Sequence, residues 1–221
     1  MNTRRTLIFD LDGTLVDTAP DLAAAMNAVL IAAGRPELSL DTVRHLVGRG
    51  ARTLIARGFE TTGGPAAPEK MDGYLKSFLA HYRENIASSD TFPQVRETLG
   101  ELHKEAALGI ATSKPQELAD MLLEKIGLAH LFGYVHGAGR TPHVKPDPRH
   151  YTDVVAALGG TPARSLMVGD SVTDVELARA AGVPVILVSY GYTSVHAREL
   201  NADAVVDHFS KIRPLIRKLL P

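Results

Sequence analysis

Residues 7–18 read LIFDLDGTLVDT, an apolar run that carries two acidic side chains before it turns. Its first three residues are typical of a strand buried on both faces, yet Asp10 follows at once and Asp12 comes soon after. A buried charge is costly unless something pairs with it. The stretch therefore predicts a central strand that ends in a polar site.

The rest of the chain supplies partners for such a strand. Short apolar runs recur, and with the first they are 6–11, 107–112, 134–138, 165–170, 183–189 and 204–207. Amphipathic helical patterns lie between the later runs, at 115–128, 147–160 and 171–182. Strands that alternate with helices pair in parallel through right-handed crossovers. This predicts the α/β class, with a Rossmann-like parallel sheet, helices on both faces and ligands bound beyond the carboxyl ends of the strands.

One interval departs from this alternation. Residues 17–84 hold only helical patterns, read over 21–34, 40–59 and 69–86, and no convincing strand. We expect an inserted helical domain at 17–84, joined by linkers near 15–19 and 83–92 to an α/β core of residues 1–16 and 85–221.

Composition narrows the possible functions. The 221 residues carry 24 Lys and Arg against 25 Asp and Glu, so there is no basic footprint for nucleic acid and no polybasic membrane patch. The sequence has no cysteine, which excludes disulfides, thiolate metal sites and a cysteine nucleophile. No apolar segment approaches the roughly 18 residues of a membrane span, and the apolar run near the start is too short for a signal peptide. We expect a cytoplasmic protein, monomeric or homodimeric.

Polar residues follow four of the predicted strands. They are Asp10 and Asp12, then Thr112, Ser113 and Lys114, then Lys145, and finally Asp170 and Asp174. In a parallel sheet all four groups meet at one edge. The carboxylates suit Mg²⁺, which binds oxygen ligands and is often shared with a substrate phosphate, whereas Lys145 and the hydroxyls suit an anion. Together they predict a phosphoryl-transfer site in which Asp10 attacks phosphorus and Asp12 moves protons.

Each group also has a structural interpretation. Asp12 with Gly13 is a common turn signal, Lys145 beside two prolines suits a solvated loop, and Ser171 suits a helix cap after Asp170. A GxxxxGK[ST] phosphate loop, a GxSxG elbow and a GxGxxG after the first strand are absent from the sequence. Any one motif is weak evidence, and the ordered set of four is what favours catalysis.

This set resembles the haloacid dehalogenase superfamily of phosphatases over nearly the whole chain. The matching motifs are DLDGTLVD (10–17), TSK (112–114), the lysine of VKPDP (144–148) and GDSVTD (169–174). The resemblance implies that the helical insert is a cap domain, which closes over the site and selects the substrate.

The resemblance also implies a role for each matched residue. Asp10 would be the nucleophile and Asp12 the general acid and base. Mg²⁺ would be held by the Asp10 carboxylate, the Asp12 backbone carbonyl and Asp170, with Asp174 as a second-shell or alternative ligand. The phosphoryl group would be bound by Thr112 and Lys145, and Lys145 would restrain Asp10 between turnovers.

Within the superfamily the sequence is most similar to bacterial phosphoglycolate phosphatases. The similarity lies in TLVDTAPDLAAAMNAVL (14–30), VGRGARTLIARG (47–58), VKPDP and SYGYT (189–193). It implies hydrolysis of 2-phosphoglycolate to glycolate. Arg49 departs from the pattern, since relatives often have a neutral polar residue there, and its charge makes it a candidate partner for the substrate carboxylate. A solvated Arg49, or a contact from Arg52 instead, stays open. Ser113 stands where relatives commonly have asparagine, so we expect altered phosphate contacts with activity retained.

Other activities of this fold stay open to different degrees. A 2-haloacid dehalogenase would not need Asp12 or Asp170. A phosphonate hydrolase would need a cap lysine for a Schiff base, and Lys70 and Lys76 lie on an ordinary amphipathic pattern. Phosphatases of sugar phosphates, N-acetylmuramate 6-phosphate included, and a β-phosphoglucomutase-like phosphotransferase remain alternatives. A non-catalytic binding module is disfavoured because Asp10 and Asp12 are both present.

Overall fold

The computed structural model describes residues 4–86 and 89–220. Parts of the expected core and of the second linker, residues 1–3, 87–88 and 221, lie outside that description. The strands in the described part are β1 (Arg5–Phe9), β2 (Val16–Asp17), β3 (Asp90–Thr91), β4 (Ala106–Pro115), β5 (Tyr134–Ala138), β6 (Ser165–Gly169), β7 (Val185–Val188) and β8 (Ala204–Val206). The helices there are α1 (Ala19–Ala32), α2 (Leu40–Leu46), α3 (Ala51–Thr61), α4 (Met71–Asn85), α5 (Val95–Glu105), α6 (Gln116–Lys125), α7 (Pro148–Ala157), α8 (Val172–Ala181) and α9 (Ile212–Leu219).

The main sheet is parallel and has the strand order β5-β4-β1-β6-β7-β8. β1 lies in the middle, with Leu7 opposite Leu108 of β4 and Leu166 of β6. Each of the predicted apolar runs forms one strand of this sheet, and the predicted α/β class is confirmed. β4 runs on to Pro115, three residues beyond the predicted end, so the TSK motif lies inside the strand.

Side chains of β1 alternate between two covered faces. Leu7 and Phe9 belong to one apolar cluster with residues of α5, α6 and α9. Ile8 belongs to a second cluster with residues of α7 and α8. Burial of each such side chain is worth about 1.5–3 kcal/mol, so both helical layers hold this strand in place. A strand with apolar residues at consecutive positions is what such a two-sided core requires.

The inserted segment consists of the helices α1–α4 and the loops between them. Its buried apolar residues belong to the same cluster as Leu7 and Phe9. The single helix predicted over 40–59 is wrong, because α2 ends at Leu46 and α3 begins at Ala51. Gly48 and Gly50 lie between them with φ of 116° and 82°, which a helix does not accommodate. The loop they form turns toward the carboxyl edge of the sheet.

A short antiparallel ribbon of β2 and β3 joins the two linkers. Val16 pairs with Thr91 and Asp17 with Asp90, so the chain enters and leaves the inserted helices side by side. These strands were not predicted, because a strand of two residues is too short to show the alternation of apolar and polar side chains. Among the described residues, no helix is long and apolar enough to cross a bilayer.

Candidate active site

The carboxyl edge of the sheet brings the predicted polar groups together. Asp10 follows β1, and its backbone N–H donates to the Val168 carbonyl (2.9 Å), which extends the pairing of β1 with β6. The Lys145 ammonium lies 3.0 Å from Asp10 Oδ1 and 2.6 Å from Asp174 Oδ1. Asp170 follows β6, the strand beside β1. Parallel pairing therefore carries residues that are up to 164 positions apart in sequence into one cluster.

Asp10, Asp170 and Asp174 form a buried acidic cluster whose nearest oxygens all lie within 4.8 Å of one another. Burial raises the pKa of Asp10 to about 7; Lys145 opposes the rise, whereas Asp174 and Asp12 add to it. Burial, with Asp174 and Asp10, also raises the pKa of Asp170 well above its ordinary value. The cluster thus holds more negative charge than its one ammonium balances.

Asp170 is fixed by donors on two sides. The Thr14 hydroxyl donates to Oδ1 (3.0 Å), and the Tyr192 backbone N–H donates to Oδ2 (2.7 Å). A Cβ at Gly191 would lie 2.1 Å from Asp170 Cβ, and one at Gly13 would lie 2.6 Å from Asp170 Oδ2. Glycine is therefore required at both positions, which explains its place in the DLDGT and SYGYT motifs.

Asp174 has donors on both of its oxygens. Oδ2 accepts from the Asp170 and Ser171 backbone N–H groups (3.1 and 3.0 Å) and from the Ser171 hydroxyl (2.8 Å), in a capping box that starts α8. Oδ1 accepts from Lys145. This arrangement suits Asp174 to orienting Lys145 and the loop of Asp170.

Asp12 faces a different lysine. The Lys114 ammonium donates to Asp12 Oδ1 (3.0 Å) and Oδ2 (3.3 Å) and to the Tyr82 hydroxyl oxygen (2.6 Å). Burial lowers the pKa of Lys114, but Asp12 and Tyr82 outweigh it and hold the pKa above its usual value. Lys114 belongs to the TSK motif but had no predicted role, and Tyr82, which lies on α4, was not predicted at all. The signal was present for Lys114, since a lysine at a buried strand end needs an anionic partner.

A cavity of about 40 Å³ lies between the strand ends and the inserted helices. Core residues that line it include Asp10, Asp12, Thr112, Ser113 and Lys114. Its remaining walls are largely apolar and come from both parts of the chain; they include Leu22, Val47, Ala51, Leu54, Phe78, Leu79 and Leu118. The polar groups therefore sit on one side of a small, mostly apolar space.

The predicted substrate-binding residues are placed differently from one another. Thr112 is buried at the cavity, and the Ser113 hydroxyl donates to the Gly48 carbonyl of the inserted segment (3.4 Å). Arg49 is exposed and does not line the cavity, although its neighbours Gly48 and Gly50 do. Arg52 is paired with Asp72 at the surface. The assignments of Thr112, Ser113 and Arg49 to substrate stay predictions.

The donor set at the acidic cluster fits a divalent cation. Asp10 Oδ1 is buried and has no partner in hydrogen-bond geometry among the described residues, although Lys145 lies close to it. Carboxylate oxygens are ligands that Mg²⁺ prefers, and a cation would neutralise the excess charge. The Asp12 carboxylate pairs with Lys114, and the ligand role of its backbone carbonyl, which the resemblance implies, stays a prediction.

Known proteins are similar to this chain in sequence and in fold. The family model described as haloacid dehalogenase-like hydrolase matches residues 7–188. A phosphoglycolate phosphatase of Caulobacter vibrioides is 46% identical over 92% of this chain and 87% of its own length. One of Agrobacterium fabrum is 41% identical over 96% of this chain and 93% of its own. The crystal structure of a predicted phosphoglycolate phosphatase from Haemophilus somnus superposes with a TM-score of 0.90 at 30% identity, covering 97% of this chain and 99% of that one.

Proposed function

Since the chain belongs to the haloacid dehalogenase-like hydrolases and is a phosphoric monoester hydrolase, we propose that it hydrolyses 2-phosphoglycolate to glycolate and phosphate. The observation that carries the proposal is the buried Asp10 carboxylate, which faces a small cavity and has Lys145 beside it. The site then combines Asp10 as the nucleophile, the Lys145 ammonium to bind the phosphoryl oxygens, and Asp12 as a second carboxylate.

Asp10 and Asp12 divide the two chemical steps. In the first, an Asp10 oxygen bonds to phosphorus while the bond from phosphorus to the substrate oxygen breaks, and Asp12 gives its proton to the leaving oxygen. In the second, Asp12 takes a proton from water as the water oxygen attacks phosphorus, which frees Asp10 and phosphate. Lys145 and Thr112 bind the phosphoryl oxygens in both steps, and Ser113 contributes its hydroxyl.

We assign the cation site to Asp10, Asp170 and the Asp12 carbonyl, with Asp174 holding Lys145. Mg²⁺, when bound there, would offset the negative charge of the phosphoryl oxygens. Lys145 alone leaves the acidic cluster with excess charge, and this is why a cation is expected in the working enzyme. Residues 17–84 serve in this proposal as the cap over a core of residues 1–16 and 85–221.

The lining of the cavity disfavours a sugar phosphate. Much of its wall is apolar, so it offers few partners for the hydroxyls of a sugar. The phosphoglycolate phosphatases of C. vibrioides and A. fabrum support the same assignment. A sugar-phosphate phosphatase or a β-phosphoglucomutase-like transferase remains the alternative, and no feature of the cavity favours either.

A comparison of substrates tests the proposal. We expect kcat/KM to be highest for 2-phosphoglycolate, by about 10-fold or more over glucose 6-phosphate, N-acetylmuramate 6-phosphate and pyrophosphate, because a buried hydroxyl left unpaired costs about 1–3 kcal/mol. If a sugar phosphate ranked first, the phosphatase would stand and the glycolate assignment would fall.

Replacement of Arg49 tests how the carboxylate of 2-phosphoglycolate is bound. If it turns inward to pair with glycolate, Arg49→Ala should raise KM for 2-phosphoglycolate by about 10-fold, the value of a charged hydrogen bond, and change ethyl phosphate little. Arg52→Ala is the matched control, since Arg52 already pairs with Asp72. An equal effect of both variants would remove Arg49 from the substrate site.

A further inference from the structure

We propose that Tyr82 of α4 is a positioning residue for the acid and base Asp12, acting through the ammonium of Lys114. The proposal rests on the proposed function, because it assumes that Asp12 moves protons. Tyr82 belongs to the inserted helices, yet its hydroxyl oxygen lies 2.6 Å from Lys114 Nζ at the carboxyl edge of the sheet. The contact therefore crosses from the cap to the catalytic groups.

The three partners leave Lys114 little freedom. Its side chain is 3% exposed, and its ammonium contacts both oxygens of Asp12 and the Tyr82 hydroxyl. An ammonium has three N–H donors, and each needs an acceptor when it is buried. Without the phenol oxygen one donor would be left unpaired, and the ammonium would shift relative to the carboxylate it holds.

Tyr82 is itself held rigidly. It is 1% exposed, and its ring stacks on Phe78 with 6.3 Å between centroids and an interplanar angle of 8°. Both residues line the cavity, as do Asp12 and Lys114. The placement of the phenol thus depends on the position of α4 over the strand ends.

The consequence is a link between α4 and proton transfer. When α4 is in this position, Lys114 has its full set of partners and the Asp12 carboxyl is aimed at the cavity. When α4 moves away, Lys114 loses one partner, and the aim of Asp12 is relaxed. Asp12 is then competent for protonation of the leaving oxygen only with the cap in place.

Leaving-group chemistry distinguishes this role from a purely structural one. The alkoxide of 2-phosphoglycolate needs the proton from Asp12, whereas the acetate released from acetyl phosphate does not. The ratio kcat/KM reports the transfer of the phosphoryl group to Asp10 and excludes the later hydrolysis that both substrates share. The two substrates are also similar in size, so the same cavity admits both.

The test is Tyr82→Phe, assayed with both substrates in the presence of Mg²⁺. We expect kcat/KM to fall about 10- to 100-fold for 2-phosphoglycolate, part of the effect of an acid catalyst, and to change by no more than about 3-fold for acetyl phosphate. Tyr74→Phe on the same helix is the matched control, because Tyr74 packs on Phe59 with 4.7 Å between ring centroids. It should leave both values unchanged.

Lys114→Met tests the same link if Tyr82→Phe folds poorly, and its loss of kcat/KM should depend on the substrate in the same way. In the double variant Tyr82→Phe should add little to the loss caused by Lys114→Met, because Tyr82 acts through Lys114. Equal losses for both substrates would reduce Tyr82 to a packing residue, and no loss for either would remove its role. If wild type does not hydrolyse 2-phosphoglycolate but hydrolyses another alkyl phosphate, that ester takes its place, so failure of the substrate assignment is seen separately.

Discussion

Lys145 and Lys114 are both buried lysines that contact carboxylates of the candidate site, but different parts of the chain hold them. Lys145 contacts Asp10 and Asp174, which both belong to the core. Lys114 contacts Asp12 from the core and Tyr82 from α4. The region around Lys145 is complete within the sheet and its loops, whereas the region around Lys114 needs the inserted helices. In our proposal the first region binds the phosphoryl group and the second controls the proton.

The largest expected effect is on the nucleophile, in the Lys145 region. Asp10→Asn should lower kcat by about 10⁴-fold or more, because an amide cannot attack phosphorus to form the aspartyl phosphate. The fold should survive, since the change removes a charge from a crowded acidic cluster. The measurement is kcat together with the thermal midpoint, and Asp41→Asn at the surface is the control. Appreciable residual turnover would overturn the assignment of Asp10.

Metal removal should act on the same region. We expect EDTA to abolish turnover, by about 10³-fold or more, and Mg²⁺ to restore it, because a cation held by Asp10 and Asp170 would offset the negative charge of the phosphoryl group. Ca²⁺ should not restore it, since its larger and more flexible shell misplaces the ligands. Full activity in a chelated, metal-free sample would contradict the cation site at Asp10 and Asp170.

Replacing each lysine in turn should lower the free energy of unfolding by a different amount in the two regions. In the absence of metal, Lys145→Met should lower the free energy of unfolding by about 3 kcal/mol, because it strands buried carboxylates. Lys114→Met should cost less, about 1–2 kcal/mol, since Asp12 is 14% exposed and keeps some water. Mg²⁺ should stabilise Lys145→Met more than Lys114→Met in urea unfolding. Equal losses and equal rescue would show that the two regions are not held differently.

The last effect concerns pH and His150, which contacts the loop that carries Lys145. His150 is buried, its Nδ1 lies 3.0 Å from the His143 carbonyl, and burial, with Lys145, lowers its pKa to about 4. Between about pH 6.5 and that value the unfolded chain binds a proton that the native chain does not, so stability falls as pH falls, by at most about 3 kcal/mol. Asp10 and Asp170, with raised pKa values, act in the opposite direction, so the comparison must be between variant and wild type.

The measurement for this prediction is the free energy of unfolding at pH 7 and pH 4.5. His150→Gln should reduce the loss on acidification relative to wild type. His208→Gln at the surface should leave it unchanged. An unchanged loss in His150→Gln would show that other groups account for the acid sensitivity.

Much of the core followed from local patterns. Apolar runs without alternation indicated strands covered on both faces, and alternation with helices indicated parallel pairing, so Asp10, Lys145 and Asp170 were expected at one edge. The ribbon of β2 and β3 was not predicted, because its strands are too short to show a period. The break between α2 and α3 was missed as well, because apolar residues continue across Gly48 and Gly50.

The side-chain partnerships could not be read in the same way. The sequence predicts that Lys114 and Lys145 both lie at the ends of strands. Which of them contacts Asp10 and which contacts Asp12 depends on the order of the strands in the sheet and on the direction of each side chain at its edge. Arg49 shows the same limit of prediction from sequence. Its neighbours Gly48 and Gly50 line the cavity, but its own side chain is exposed. Neighbouring residues of a loop can therefore differ, one lining the cavity and the next lying at the surface.

The amino-acid pattern alone predicted the fold class, the edge of the sheet where the polar groups meet and the carboxylates that lie there, because these follow from burial and strand direction. The pairing of Asp12 with Lys114, and of Lys114 with Tyr82, came only with the folded chain. Tyr82 lies 32 residues from Lys114 in sequence and in another part of the fold. Contacts of this kind depend on how two packed units meet, and no local periodicity encodes that meeting.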